Sequence, residues 1–147
     1  MTVRAERTFD LAIPPDRVWE FIADPGNRAR SISVVTDYTI KNDDATHVTW
    51  HVELPIPLVR RTIAIETEDV SRQEPTYVRF VGRSKVMDVT GEHEIAPNNG
   101  GSTLANRFTV EGKLPGVEKF FKRNLDAELE NLRRDLQYAA QGDADSP

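Results

Sequence analysis

The stretch PGVEKFFKRNLDAELENLRRDLQYAA, residues 115–140, decides the fold. Val117, Phe121, Leu125, Leu129, Leu132 and Leu136 recur every three or four residues, so they form one apolar stripe down a helix over Pro115 to Ala139. Phe120 widens the stripe, and Glu118, Lys122, Arg123, Asp126, Glu130, Arg133 and Arg134 occupy the other faces. Pro115 suits a first helical turn, and Gly142 is the expected stop. About 25 residues at 1.5 Å each make a rod of roughly 37 Å, long enough to cross a small domain. Such a helix needs an apolar surface to lie on.

The preceding chain supplies one. Strands are expected at 3–11, 33–41, 46–54, 58–69, 76–84, 88–96 and 102–112, separated by Asn, Asp, Gly and Pro breaks. One set of alternating positions is apolar: Val34, Tyr38 and Ile40; Val48, Trp50, Val52 and Leu54; Val59, Ile63 and Ile65; Val78, Phe80 and Gly82; Val89, Gly91 and Ile95; Leu104, Phe108 and Val110. The opposite set holds Asp37, Thr49, Glu53, Arg60, Glu66, Glu68, Arg79, Glu92, Glu94 and Arg107. A sheet with one wet and one dry face follows. Pro14-Pro15 ends the first strand and opens a short helix through Val18, Trp19, Phe21 and Ile22. Asp24-Pro25-Gly26-Asn27 breaks it, and Arg28 to Ile32 reads as a further turn or a weakly anchored loop. The expected fold class is α+β: a seven-stranded antiparallel sheet wrapped around a long C-terminal helix, with two short helices after strand 1. One domain over 1–140 and a disordered tail over 141–147 complete the division.

Composition narrows the function. The chain has no Cys, which excludes disulfides, thiolate nucleophiles and zinc–thiolate centres. Net charge is -5, which argues against a nucleic-acid partner. No apolar run approaches the ~20 residues of a membrane span, so stable membrane insertion is not expected and a cytoplasmic location is. P-loop, dinucleotide and G-x-S-x-G patterns are all missing. No metal is expected either. His93 points away from Glu92 and Glu94 on a strand, while His47 and His51 would sit ~13 Å apart. No cofactor is implied.

The stretch Ile13-Pro14-Pro15-Asp16-Arg17-Val18-Trp19-Glu20-Phe21, followed by Asp24-Pro25, is similar to the Pro-x-x-x-Val-Trp-x-x-(Ile/Leu)-x-Asp-Pro motif of the SRPBCC superfamily. Gly100-Gly101-Ser102-Thr103 and Leu114-Pro115-Gly116 add to the likeness, as does the order of elements. This resemblance, to START-like and polyketide cyclase-like helix-grip proteins, covers nearly the whole chain. It implies a cavity between sheet and C-terminal helix that holds a small hydrophobic molecule.

Polar residues on the dry side would mark such a cavity. Arg7, Tyr38, Arg61, His93 and Asn106 stand out on the strands, with Asn124 and Glu128 on or beside the helical stripe. A turn at 97–101 sets His93 opposite Asn106, and one at 43–45 sets Tyr38 opposite Trp50. A buried Arg7 or Arg61 needs a carboxylate, for which Glu128 is a candidate, a route to water, or a polar ligand group; sheet-end arginines more often reach solvent with their tips. The candidate ligand-binding set is therefore Tyr38, Trp50, Arg61, Phe80, His93, Asn106, Phe108, Phe121, Asn124, Leu125 and Glu128. A lone inward His is more often a core residue than a catalyst. Three functions fit: a carrier or binder of an apolar molecule such as a lipid, quinone, isoprenoid or polyketide; a cyclase, aromatase or dehydratase with His93 as catalytic acid/base; or an accessory protein to a larger enzyme, resembling the accessory component of carbon monoxide dehydrogenase, which implies a partner enzyme. The first is preferred, since no two inward polar groups form a convincing acid/base pair.

Overall fold

A computed structural model of the chain describes residues 2–57, 59 and 61–144, the side chains of 142–144 excepted. The order is β1 (Thr2–Leu11), α1 (Pro15–Ile22), α2 (Pro25–Arg30), β2 (Val35–Ile40), β3 (His47–Val52), β4 (Ile63–Gln73), β5 (Tyr77–Arg83), β6 (Met87–Asn98), β7 (Gly101–Gly112) and α3 (Val117–Ala144). The seven strands form one antiparallel sheet in the order β1-β7-β6-β5-β4-β3-β2, so the last strand, β7, receives the first, β1, along its free edge. The two short helices follow β1 and the long helix closes the chain: the helix-grip architecture.

Alternation accounts for the sheet. β6 reads buried and partly exposed by turns from Met87 to Ile95, and β7 does the same from Ser102 to Val110. Asn99 and Gly100 both have positive φ, 49° and 86°, which gives the β6–β7 hairpin its tight two-residue turn. That turn fixes the register, with Ile95 opposite Leu104 and His93 opposite Asn106. Tyr38 likewise pairs with Trp50. The α3 stripe, Val117, Phe121, Leu125, Leu129, Leu132 and Leu136, is buried in one cluster with Phe9, Trp50, Phe80, Leu104 and Phe108. The helix therefore lies on the dry face.

Boundaries differ where local chemistry overrides pattern. Asp24-Pro25 does not merely break α1; it starts α2, with the Asp24 carboxylate accepting from Gly26 N at 2.8 Å and Pro25 in the first turn. The helix α3 begins at Val117 because Gly116 has φ +92°, and it continues through Gly142 to Ala144. The expected tail thus begins inside the helix, and its last residues, 145–147, lie outside the described part. β4 starts at Ile63, five residues after the expected onset; positions 58 and 60 are not described, so the wet-face placement of Arg60 lies outside the described residues. Its far end runs to Gln73, past a bulge between Asp69 and Ser71.

Candidate functional site

Trp50 on β3, Phe80 on β5 and Phe108 on β7 stand on the dry face and meet edge to face, with Phe80 5.5 Å from Trp50 and 5.9 Å from Phe108. Phe121, Leu125, Leu129 and Leu132 of α3 lie across from them, and Arg28, Ser31 and Ile32 close one side. Together they enclose a cleft of about 30 Å³. That is room for ordered water, whereas sites for drug-sized molecules run to roughly 300–1,000 Å³. The walls expected of an apolar ligand site are in place, and they stand nearly closed.

Among the expected site residues, Trp50, Phe80, His93, Phe108, Phe121, Leu125 and Glu128 line this cleft. Asn106 is fully buried but stands behind His93. Its amide donates to Arg7 O at 3.1 Å and Leu104 O at 3.4 Å, which leaves Oδ1 facing His93 Nδ1 at 2.8 Å. Nδ1 therefore carries the ring proton and Nε2 is a bare acceptor. Burial, aided by the Arg28 charge, lowers the His93 pKa to about 4, against a smaller opposing pull from Asn106. The ring is neutral at pH 7.

The other expectations need correction. Tyr38 turns to α2: its hydroxyl accepts from Arg30, whose guanidinium lies 5.7 Å over its ring, and it does not line the cleft. Arg61 is exposed, because the chain has not yet entered β4 there. Asn124 is half-buried and donates to Phe120 O at 2.7 Å, one turn back on its own helix. Glu128 pairs with neither Arg7 nor Arg61. It accepts from Ser33 N at 2.7 Å and from Ser33 Oγ, while Arg7 reaches Glu130 at 3.3 Å.

Two site residues escaped the sequence reading. Arg28, in the segment read as weakly anchored, is 4% exposed and donates through Nη2 to both oxygens of Asp69, at 3.0 and 2.7 Å. Its guanidinium also lies 5.2 Å from the centre of Phe80. Asp69 was detectable, since it continues the inward parity of Ile63, Ile65 and Thr67. Arg28 was not, because its burial depends on the helix that Asp24 caps. Nε of Arg28 and Nε2 of His93 are buried without a hydrogen-bond partner among the described residues. No cluster of His, Asp or Glu among the described residues could hold a metal, and no helix there is long and apolar enough to cross a membrane.

A family model described as polyketide cyclase / dehydrase and lipid transport matches residues 2–137. No curated protein matches the chain at a significant level. Among solved structures, a conserved protein from Geobacillus kaustophilus superposes with a TM-score of 0.75 at 13% identity, over 95% of this chain and 96% of that one. A START superfamily protein from Mycobacterium smegmatis gives 0.73 at 15% identity, over 95% and 97%. The Zhui aromatase/cyclase from Streptomyces sp. R1128 gives 0.71 at 15% identity, over 93% and 94%. At these identities the likeness is one of fold.

Proposed function

Because the chain belongs to the polyketide cyclase / dehydrase and lipid transport family, an SRPBCC-type fold, we propose that it binds a small, mainly apolar molecule in the cleft between sheet and α3 without transforming it. The observation that carries this reading is the aromatic wall of Trp50, Phe80 and Phe108 facing Phe121 and Leu125 across a mainly apolar cleft. Catalysis by His93 is the alternative. With a pKa near 4, however, the ring is a weak base at neutral pH, and among the described residues no second titratable group is hydrogen-bonded to it.

Binding requires the walls to part. The segment from Ser31 to Val35, tied to α3 through Ser33 and Glu128, is the natural place. Organic extraction of natively purified protein, followed by mass spectrometry, is expected to yield a near-stoichiometric apolar molecule, displaceable by added naphthalene-sized compounds. Protein that carries none, and that shows no perturbed cleft resonances when titrated with such compounds, would overturn the reading. Turnover of an extracted ligand, abolished by His93→Gln with affinity unchanged, would favour the enzyme instead.

A further inference from the structure

The buried Arg28 Nε–H is a donor, the buried His93 Nε2 is an acceptor, and both residues line one cleft. Each leans on the same ring: the Arg28 guanidinium is 5.2 Å and the His93 ring 6.4 Å from the centre of Phe80. The charge of Arg28 and the ring proton of His93 are already matched. Asp69 answers the Arg28 charge through Nη2, and Asn106 holds His93 Nδ1. We propose that the ligand of this cleft carries one neutral hydroxyl, which donates to His93 Nε2 and accepts from Arg28 Nε–H. The proposal rests on the binding reading above and deepens it to a ligand class: an apolar molecule ending in an alcohol or phenol.

The alternatives fit less well. An ether or ketone accepts only, and leaves Nε2 buried and bare. A carboxylate would face the Nε2 lone pair and the Glu128 carboxylate on the same lining, with the Arg28 charge already matched. An ammonium group could donate to His93 but offers nothing to Arg28, and it would bring an unpaired charge into apolar walls. A hydroxyl satisfies both atoms at once and leaves the rest of the molecule to the aromatic wall.

The test is an NMR titration of histidine-15N-labelled protein with four probes of similar size: 2-naphthol, 2-methoxynaphthalene, naphthalene and 2-naphthoate. The expected order puts 2-naphthol about tenfold tighter than the ether and the hydrocarbon, with the carboxylate weakest. The His93 Nε2 resonance, that of an unprotonated nitrogen, should move to lower frequency with 2-naphthol and stay in place with naphthalene. In His93→Phe the preference for 2-naphthol over naphthalene should shrink towards unity. The ring-nitrogen shift is read on the unaltered protein, so a variant that folds poorly does not spoil the test. Equal binding of 2-naphthol, its methyl ether and naphthalene, with Nε2 unmoved, overturns the hydroxyl assignment and leaves the binding reading standing. Binding by none of the four defeats both.

Discussion

Glu128 of α3 accepts a hydrogen bond from the backbone N–H of Ser33 at 2.7 Å, and a second from the Ser33 hydroxyl. The Glu128 residue is 7% exposed, so these donors stand in for the water its carboxylate has lost. Glu128 thereby ties the long helix to the chain between α2 and β2, at the edge of the cleft. Glu128→Ala should cost about 2 kcal/mol, the usual scale for hydrogen bonds to a charged group. It should also speed both amide exchange at Ser33 and probe entry into the cleft. Stopped-flow binding and hydrogen exchange check this; an unchanged Ser33 amide would show that the tie does not hold that segment.

Arg28 and Asp69 form a pair whose side chains are 4% and 5% exposed. Arg28 is a buried charge that Asp69 makes tolerable, and Asp69 has in Arg28 its close partner, with the half-buried Arg72 farther off at 3.7 Å. Arg28→Ala or Asp69→Ala should therefore cost roughly 3–5 kcal/mol, whereas Arg28→Met with Asp69→Leu should cost much less than the two losses added. Urea unfolding of the three variants measures the coupling. Additive losses would mean that the pair is not a unit.

Gly91 sits under Phe80: a Cβ there would lie 2.2 Å from a carbon of the ring. Phe80 is 1% exposed and hemmed by Trp50, Phe108 and the Arg28 guanidinium, so it cannot swing aside cheaply. Gly91→Ala should cost about 1–3 kcal/mol by overpacking, and Phe80→Leu in the same chain should recover part of that loss. Thermal unfolding of both variants checks the expectation. A neutral Gly91→Ala would place the ring elsewhere.

The alternating dry face and the α3 stripe were legible because hydrophobic period is a local property of sequence, and the aromatic wall followed from it. The His93–Asn106 pairing was legible too, because the Asn99-Gly100 turn fixes register over the whole hairpin. Arg61 was misplaced because the strand onset there depends on the long β3–β4 connection and not on period. The Arg28–Asp69 pair joins residues 41 positions apart, on a helix that a capping contact starts and a strand that a bulge bends. The near-closure of the cleft is a matter of side-chain volume across two layers, which no single stretch encodes.

His93 makes the stability of the fold depend on pH. Burial lowers its pKa from 6.5 to about 4, so the folded protein refuses a proton that the unfolded chain accepts. Between those values the unfolded state binds more protons, and stability must rise with pH. The contribution of the neutral ring is thus complete above about pH 6.5 and is lost progressively as pH falls towards 4. At about 1.4 kcal/mol per pH unit, the loss across the window is on the order of 3 kcal/mol. Carboxylates titrate at the lower end of the same range, so the measurement is a difference: urea unfolding of the protein and of His93→Gln at pH 7, 6, 5 and 4. The Gln side chain takes up no proton. The unaltered protein should therefore lose roughly 3 kcal/mol relative to the variant between pH 7 and 4. Parallel curves would mean that His93 titrates as freely folded as unfolded, which a ring buried between Phe80 and Phe108 could not do.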